Sequence, residues 1–589
     1  MASRRLSFRT PHLAPPAEEL RPTRLEVPAR LPPISDAAIA ATASAALQPP
    51  DLLNVRPVVT VDAGRLDRAL RFSFVAGTDG GVIGQAMDRA PIAASTFEPA
   101  CFFEELYLVD LLRGVMQVHL DGHAVGVNER YLLRVLSQPP ALALVREQRT
   151  EVWRELAESE AVRGQVLRLY GHLRVLFGLF DGEDHGRLRG EMARRRIDLL
   201  KEIERVFAAL ADDAFEGTTS VLSRLRTFAL QVRESEAFAR LLELLEYENA
   251  RAFADLTLQF SADGRIRGLR INGLREATGN RYHVSRTRQL YDRLSLWLRG
   301  YRMTDAELVD RWLDEVFEGL VSFLPPLVQL KADLEVYLSG LAFRDTCARY
   351  GLTVCFPTFG DAGAACELDA LFNPLLFALG TTPVTSRVEL GRRGETTLLT
   401  GPNSGGKTRL LQAVGLLHVL AQGGHFVPAA RATLRSVPGV FASLSQPHAA
   451  DQAEGRLGTE LLRMRMLFER ASIGTLVVVD ELCSGTSPSE GEELFRLLLE
   501  LLAELRPLAL ISTHFLRFAA ELCAEPASIE GLSLRFLRVD LDEKERPTFR
   551  FVTGVAETSL ARQTAARLGV TREELRLLLH SRLGTDDRS

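Results

Sequence analysis

Between residues 140 and 255 the apolar positions of this chain recur at helical spacing. Ile197, Leu200, Ile203, Phe207 and Leu210 follow one another at intervals of three, three, four and three, with charges between them. One apolar stripe on a polar cylinder predicts a long helix that packs on its neighbours as part of a lever or bundle. The texture then changes. "LTLQFSADGRIRGLRINGL" and "NRYHVSR" alternate apolar and polar residues around glycine turns, which predicts short strands interrupting the helices. Helical spacing resumes at "TDAELVDRWLDEVFEGLVSFL", where Thr304 and Glu307 form a capping box. Pro325 and Pro326 break or kink that helix. From about residue 365 apolar strands alternate with amphipathic helices, as in a parallel sheet with crossover helices. Residues 60–135 are mixed: "RFSFVAG", a glycine pair at Gly80 and Gly81, then the apolar "FFEELYLVDLLRGV". They read as a small α or α/β region.

Composition fixes the class. A chain of 589 residues exceeds one hydrophobic core, so several packed units are expected. With 46% hydrophobic and 25% charged residues it is globular. Residues 1–57 hold ten of the 27 prolines and read as a flexible lead-in. The divisions expected are this lead-in, a small N-terminal region at 58–139, a helical lever with clamp-like strands at 140–364, an α/β domain at 365–550 and a helical tail at 551–589. The six cysteines form no C-x-x-C pair, which argues against a zinc site or a disulfide framework and fits a reducing cytoplasm. No stretch approaches the ~20 apolar residues that span a bilayer. Arg4, Arg5 and Arg9 are followed by no apolar run, so no secretory leader is expected and the chain reads as cytoplasmic.

The net charge of −5 gives no general sign of nucleic-acid affinity, so any basic surface is local. One such stretch runs from Arg265 to Arg302, with ten arginines against Glu276 and Asp292, a local net of +8. Arginines on exposed strands neutralise phosphates without reading bases, and Arg281, Arg286 and Arg288 are the candidates here. The alternative is a solvated face paired to acidic helices elsewhere.

Of 71 basic residues only Lys201, Lys331, Lys407 and Lys544 are lysines, so a lysine at a demanding position is informative. "TTLLTGPNSGGKTRLLQAVGLL" puts one there. A β-type run from Thr396 to Thr400 leads into Gly401-Pro402-Asn403-Ser404-Gly405-Gly406-Lys407-Thr408, which matches G-x-x-x-x-G-K-[ST], and a helical pattern follows. The glycines let backbone N–H groups turn inward around phosphate oxygens, and the helix N-terminus adds a favourable dipole. Lys407 is expected to reach the β- and γ-phosphates of ATP, and the Thr408 hydroxyl to bind Mg²⁺. The partner is "TLVVVDELCSGTSPSEG", an apolar strand ending in Asp480, expected to hold the Mg²⁺, and Glu481, expected to polarise the attacking water. "LALISTHF" is another such strand, ending in His514 as a candidate γ-phosphate sensor.

In order and spacing, "TGPNSGGKT", "GLLHVLAQGGHFVPA", "DELCSGTSPSEG" and "STHF" resemble the ATPase domain of the MutS family, in a form nearest its second bacterial branch. The likeness is tight over about 365–583, including "GVAETSLARQTAARLGVTREEL", similar to the family's dimerising tail, and looser over 140–365. It implies an α/β P-loop (ABC-like) ATPase domain preceded by a mainly α-helical lever and clamp body, working as a homodimer on double-stranded or branched DNA. It also implies that Ser484, Gly485 and Thr486 form the loop that crosses the dimer. The chain departs from the family at the trans-acting segment, where the usual S-T-F run falls on Gly455, Arg456 and Leu457 while Glu460 keeps its place. Arg456 is a candidate substitute for the missing serine. No nuclease domain is expected after about residue 583. Phe102-Phe103-Glu104 spells the family's mismatch wedge, but its surroundings read as amphipathic helix, so both rings are expected in the core. The function implied is a DNA-binding, ATP-driven clamp of repair or recombination without direct mismatch readout. The alternatives are a ribosome- or RNA-associated ATPase and a nucleotide-gated dimerisation scaffold.

Overall fold

A computed structural model of the chain describes residues 27–34, 47–182, 189–249, 253–260, 266–275, 305–361, 365–444, 455–481, 483, 486–557 and 568–586. A helical body precedes an α/β domain. The body is built from α1 (Ala63–Ala76), α2 (Leu108–Val115), α3 (Glu129–Ser137), α4 (Ala143–Glu158), α5 (Glu160–Asp181), α6 (Arg189–Leu210), α7 (Ser223–Arg233), α8 (Glu236–Asn249), α9 (Asp305–Leu320) and α10 (Leu324–Arg349).

Local chemistry sets these boundaries. Ser159 caps α5 by accepting from Val162 N, and Gly182 ends it at φ 79°, where a Cβ would sit 2.3 Å from the Gly77 carbonyl. The stripe on α6 is inside: Leu200, Ile203, Phe207 and Leu210 are fully buried. Phe207 packs on Phe228 of α7 and Phe238 of α8, with centroids 5.8 and 5.7 Å away. The chain breaks at Pro325 and Pro326, as their sequence position suggests. A 3₁₀ turn, Val321–Phe323, separates α9 from α10, and both prolines stand in the first turn of α10, where their missing N–H groups cost nothing.

Helix α10 is the axle of the body, buried along most of its length. Its polar positions anchor segments from the first 130 residues of the chain. Thr60 N donates to Gln329 Oε1 at 2.7 Å, Leu52 N to Asp333 Oδ2 at 3.2 Å, and Asn128 N to Glu335 Oε2 at 2.8 Å. Here the structure differs from the expected flexible lead-in, because residues 47–57 are packed. Leu52 and Leu53 are buried, and the buried Asp51 carboxylate accepts from the N–H groups of Leu53, Asn54 and Val58. Counting proline over 57 residues averages away this aspartate-tied turn.

The 58–139 region carries α1, α2 and α3 joined by long turns, with a two-residue antiparallel ladder of His119–Leu120 on His123–Ala124. Phe102 and Phe103 are buried in the core. The helix expected around them starts later, at Leu108, after Tyr107 in the left-handed conformation at φ 54°. Between α8 and α9, β1 (Phe253–Phe260) and β2 (Ile266–Arg275) pair antiparallel with Thr257 opposite Arg270. Arg281, Arg286 and Arg288 lie outside the described residues.

The α/β domain holds β3 (Cys366–Leu371), β4 (Ser386–Leu390), β5 (Glu395–Thr400), β6 (Arg431–Leu434), β7 (Val440–Ser443), β8 (Leu476–Val479), β9 (Leu508–Ser512), β10 (Ser533–Leu541) and β11 (Pro547–Thr553). Its helices are α11 (Lys407–Gly423), α12 (Gly455–Arg470), α13 (Pro488–Leu505), α14 (Leu516–Ala524) and α15 (Arg572–Asp586). The main sheet has the order β7-β8-β9-β5-β10-β11, parallel except for the antiparallel edge strand β11. Strands β8 and β9 are buried at every position, as a parallel sheet covered on both faces requires. A second, mixed sheet joins Thr358–Phe359, β6, β3 and β4. Among the described residues no helix is long and apolar enough to cross a membrane.

Candidate nucleotide site

Strand β5 ends at Thr400, the chain turns through Gly401–Gly406, and α11 begins at Lys407. Glycine is required twice for space. A Cβ at Gly401 would stand 2.6 Å from Val539 Cγ2 on β10, and one at Gly405 2.7 Å from the same atom. Gly401 and Gly406 also take positive φ, 139° and 85°. Asn403 and Ser404 are exposed at the loop's tip.

Lys407 is 2% exposed, and a buried ammonium has to be paired. Its Nζ lies 3.0 Å from Gly401 O, 3.2 Å from Pro402 O, 3.3 Å from Asn403 Oδ1 and 3.1 Å from Glu481 Oε1. The lysine therefore sits at the centre of its own loop, ringed by oxygens.

Sheet register brings the remaining groups to the same edge. Val479 on β8 pairs with Ile511 on β9, and Ser512 pairs with Leu399 on β5, so the residues just past these strand ends come out side by side. Asp480 accepts hydrogen bonds from the Thr408 hydroxyl on one oxygen and the Ser512 hydroxyl on the other. The backbone N–H of Glu481 donates to Ser512 Oγ at 3.0 Å. Glu481 and Cys483 both adopt left-handed φ, 46° and 61°, and the Cys483 N–H donates to Glu460 Oε2 at 2.7 Å. Two non-glycine residues with positive φ in so short a stretch mark a conformation imposed by its partners. The result is a buried cation beside three oxygen groups, a hydroxyl and two carboxylates. That donor set suits a phosphate chain and a hard divalent cation.

Not every expected residue joins this cluster. His514 stands half-buried just past the end of β9, its ring 4.1 Å from that of Phe515. The Thr486 hydroxyl donates to Glu490 Oε2 at 2.6 Å, in the first turn of α13, which Ser487 caps. Ser484 and Gly485 lie outside the described residues. Gly455 and Leu457 lie in the first turn of α12, and the described backbone there includes Arg456.

Sequence reasoning missed Ser512, Glu105 and Arg463. Ser512 is the one polar residue of "LALIS", a signal that becomes legible once β9 is paired with β8. Glu105 belongs to the N-terminal region, yet its Oε2 accepts from Leu444 N at 2.9 Å and its Oε1 lies 3.3 Å from Arg463 on α12. Arg463 also donates to the carbonyls of Ala442 and Cys101. Glu460 and Arg463 are one turn apart, so α12 is tied to the Asp480–Cys483 loop at one point and to the N-terminal region at the next.

The loop is coupled to the body through α11 itself. His418 and His425, near the end of that helix and just past it, are buried, and burial holds their ring pKa values down at about 4 and about 3. The His425 ring lies tilted against Trp153 of α4, with centroids 3.8 Å apart. Trp153 Nε1 donates to Tyr337 O on α10 at 3.1 Å, and Gly340 leaves room for that indole.

Residues 397–570 match the family described as MutS domain V. Endonuclease MutS2 of Thermomicrobium roseum is 35% identical over 205 residues, which is 35% of this chain and 25% of that protein. Endonuclease MutS2 of Thermus thermophilus is 32% identical over 282 residues, 47% of this chain and 36% of that protein. The protein of the same name from Gemmatimonas aurantiaca is 32% identical over 278 residues, 46% of this chain and 33% of that protein. The chain thus spans between a quarter and about a third of the length of the curated relatives it matches.

Proposed function

We propose, from the match of residues 397–570 to MutS domain V and the likeness to the MutS2 relatives, that the protein is an ATP-hydrolysing, dimeric clamp of the MutS class that grips double-stranded or branched DNA through its backbone, in repair or recombination. The observation that carries the ATPase reading is the contact of the Thr408 hydroxyl with Asp480 beside the buried Lys407. The residues present fit ATP and Mg²⁺: a glycine-shaped loop at a helix N-terminus for the phosphates, and a hydroxyl with a carboxylate for the metal.

In this reading the Lys407–Glu481 ion pair parts when nucleotide enters. The Lys407 ammonium turns from the loop carbonyls to the β- and γ-phosphate oxygens, and the N–H groups of Asn403 to Thr408 close around them. Thr408 and Asp480 hold the Mg²⁺, with Ser512 fixing the carboxylate's orientation. When bound, Mg²⁺ supplies charge screening for the phosphates and the leaving group. Glu481, freed from the lysine, orients the attacking water and takes its proton. His514 senses the γ-phosphate from the neighbouring strand end. Ser484, Gly485 and Thr486 reach the nucleotide of the partner subunit, so dimerisation and hydrolysis are coupled.

The DNA reading rests on the Arg-rich stretch, of which Arg267, Arg270 and Arg275 lie on β2, and on the name the relatives carry, endonuclease. Backbone contacts of this kind select DNA shape and not a mismatched pair. The burial of Phe102 and Phe103 supports this, since neither ring is available as a wedge. The test is competition among a homoduplex, a G·T heteroduplex and a four-way junction of equal length at fixed salt. Homoduplex and heteroduplex are expected to compete equally. Reversing Arg281, Arg286 and Arg288 to Glu is expected to weaken all three and lower the salt slope by about three. A tenfold preference for the heteroduplex, about 1.4 kcal/mol, contradicts the proposal. So does structured RNA that displaces every DNA, which would favour the RNA-associated alternative.

A further inference from the structure

A second cavity, of about 1290 Å³, opens between the segment starting at Val27, the beginning of α1, the loop around Asp88 and the first turns of α3. None of its described lining residues belongs to the nucleotide site. Five arginines line it, Arg65, Arg89, Arg113, Arg130 and Arg134, against three carboxylates, Asp62, Asp88 and Glu129.

Those carboxylates are already engaged. Glu129 is paired with Arg113 at 2.7 Å, Asp88 faces Arg130 at 3.4 Å, and Asp62 caps α1 by accepting from Arg65 N at 2.8 Å. The Arg65 and Arg89 guanidinium groups have no ion-pair partner among the described residues. Arg134 is only 4% exposed, and its Nη atoms donate to the carbonyls of Met87, Asp88 and Ala90 at 3.2, 2.8 and 2.7 Å. Its buried Nε has no hydrogen-bond partner among the described residues. A buried guanidinium N–H without an acceptor is unfavourable, and the Arg134 side chain that carries it lines this cavity. Helices α1 and α3 both begin at this cavity, adding the positive ends of two helix dipoles.

Apart from Thr60 and Gln85 the rest of the wall is apolar, including Val61, Leu66, Val82 and Leu133, with no aromatic ring among the described lining residues on which a base strand could stack. The volume exceeds what one drug-sized ligand needs. We propose that this cavity binds an organic polyphosphate of nucleotide size or larger, with its phosphates on Arg65, Arg89 and Arg134 and its organic part on the aliphatic wall. This is a site separate from the one around Lys407.

Calorimetric titration of the full chain carrying Lys407→Ala tests it, with ATP and inorganic tripolyphosphate as separate probes. Both are expected to bind at one saturable site, ATP at least as tightly as tripolyphosphate. Adding Arg65→Glu and Arg89→Glu is expected to weaken both at least tenfold, while the same pair in the chain with Lys407 intact leaves basal ATP hydrolysis unchanged. Both arginines are exposed, so the fold survives their reversal. Absence of binding in the Lys407→Ala chain overturns the proposal, as does binding indifferent to the reversal. Binding of tripolyphosphate without ATP overturns the organic assignment.

Discussion

The loop around Lys407 and the anchor around Asp333 are both buried polar clusters, and they differ in how they are closed. In the loop, one ammonium is held by its own carbonyls and by a carboxylate, Glu481, just past the end of β8. Each of these contacts can be exchanged for a phosphate oxygen without unfolding anything. In the anchor, Asp333 accepts from Leu52 N and from the Tyr131 hydroxyl, while Tyr337 donates to Leu52 O and Arg149 to Leu53 O. Those bonds join segments as much as 285 residues apart in the chain, and breaking them detaches the N-terminal segment from α10. Burial alone therefore does not mark a site. Exchangeable partners beside a loop with backbone to spare do.

Removing the group assigned to water activation is the strongest way to sharpen this contrast. Glu481→Gln is expected to retain ATP binding while hydrolysis falls about 10²- to 10⁴-fold. Light scattering with ATP should then report a mass near twice 65.2 kDa as the closed dimer accumulates. A monomer at every concentration, with or without nucleotide, contradicts the composite site.

The anchor should respond to pH instead. Burial pushes the Asp333 carboxyl well above its ordinary value of 3.8, and the nearby Asp51 carboxylate, itself raised by burial, pushes the same way. Tyr131, Tyr337 and Arg149 face the same pair. The folded chain thus holds a proton that the unfolded chain releases. That contribution to stability is complete below about pH 4 and is lost as pH rises toward the raised value. Asp333→Asn removes the titration, so relative to the parent its stability should climb by about 1.4 kcal/mol per pH unit across that window. Urea melts of both proteins at several pH values measure it, and parallel curves contradict it.

The smallest effect is expected where the two regions meet. In Glu105→Gln an acceptor for Leu444 N remains, but Arg463 loses its charged partner. A loss of about 1 kcal/mol in positioning α12 corresponds to roughly a fivefold fall in kcat. KM for ATP should not move, because Lys407 is untouched. A change in KM alone, or in melting temperature alone, would reduce Glu105 to a packing role.

The contrast also explains what was legible in the sequence. The chemistry of phosphate binding requires glycines, a lysine and a threonine at contiguous positions, so residues 401–408 announce themselves, as do Asp480 and Glu481 at the end of an apolar run. The stripe on α6 was readable for the same local reason. Asp51, Glu105 and Ser512 were not, because each acquires its role from a partner distant in the chain or across a strand register. Residues 102–107 were misjudged in another way: apolar spacing foretold the burial of Phe102 and Phe103, but Tyr107 takes a left-handed turn that periodicity does not encode.

The central claim is that Lys407 is there for a ligand and not for the fold. The most direct measurement is steady-state ATP hydrolysis by the full chain with Mg²⁺, set beside Lys407→Ala and Lys407→Arg and a melting curve of each. Both substitutions are expected to lower turnover by at least about a hundredfold, the arginine too, because a planar guanidinium does not replace a compact ammonium inside the loop. Melting temperatures should stay within a few degrees of the parent. Undiminished turnover in either variant would contradict the account.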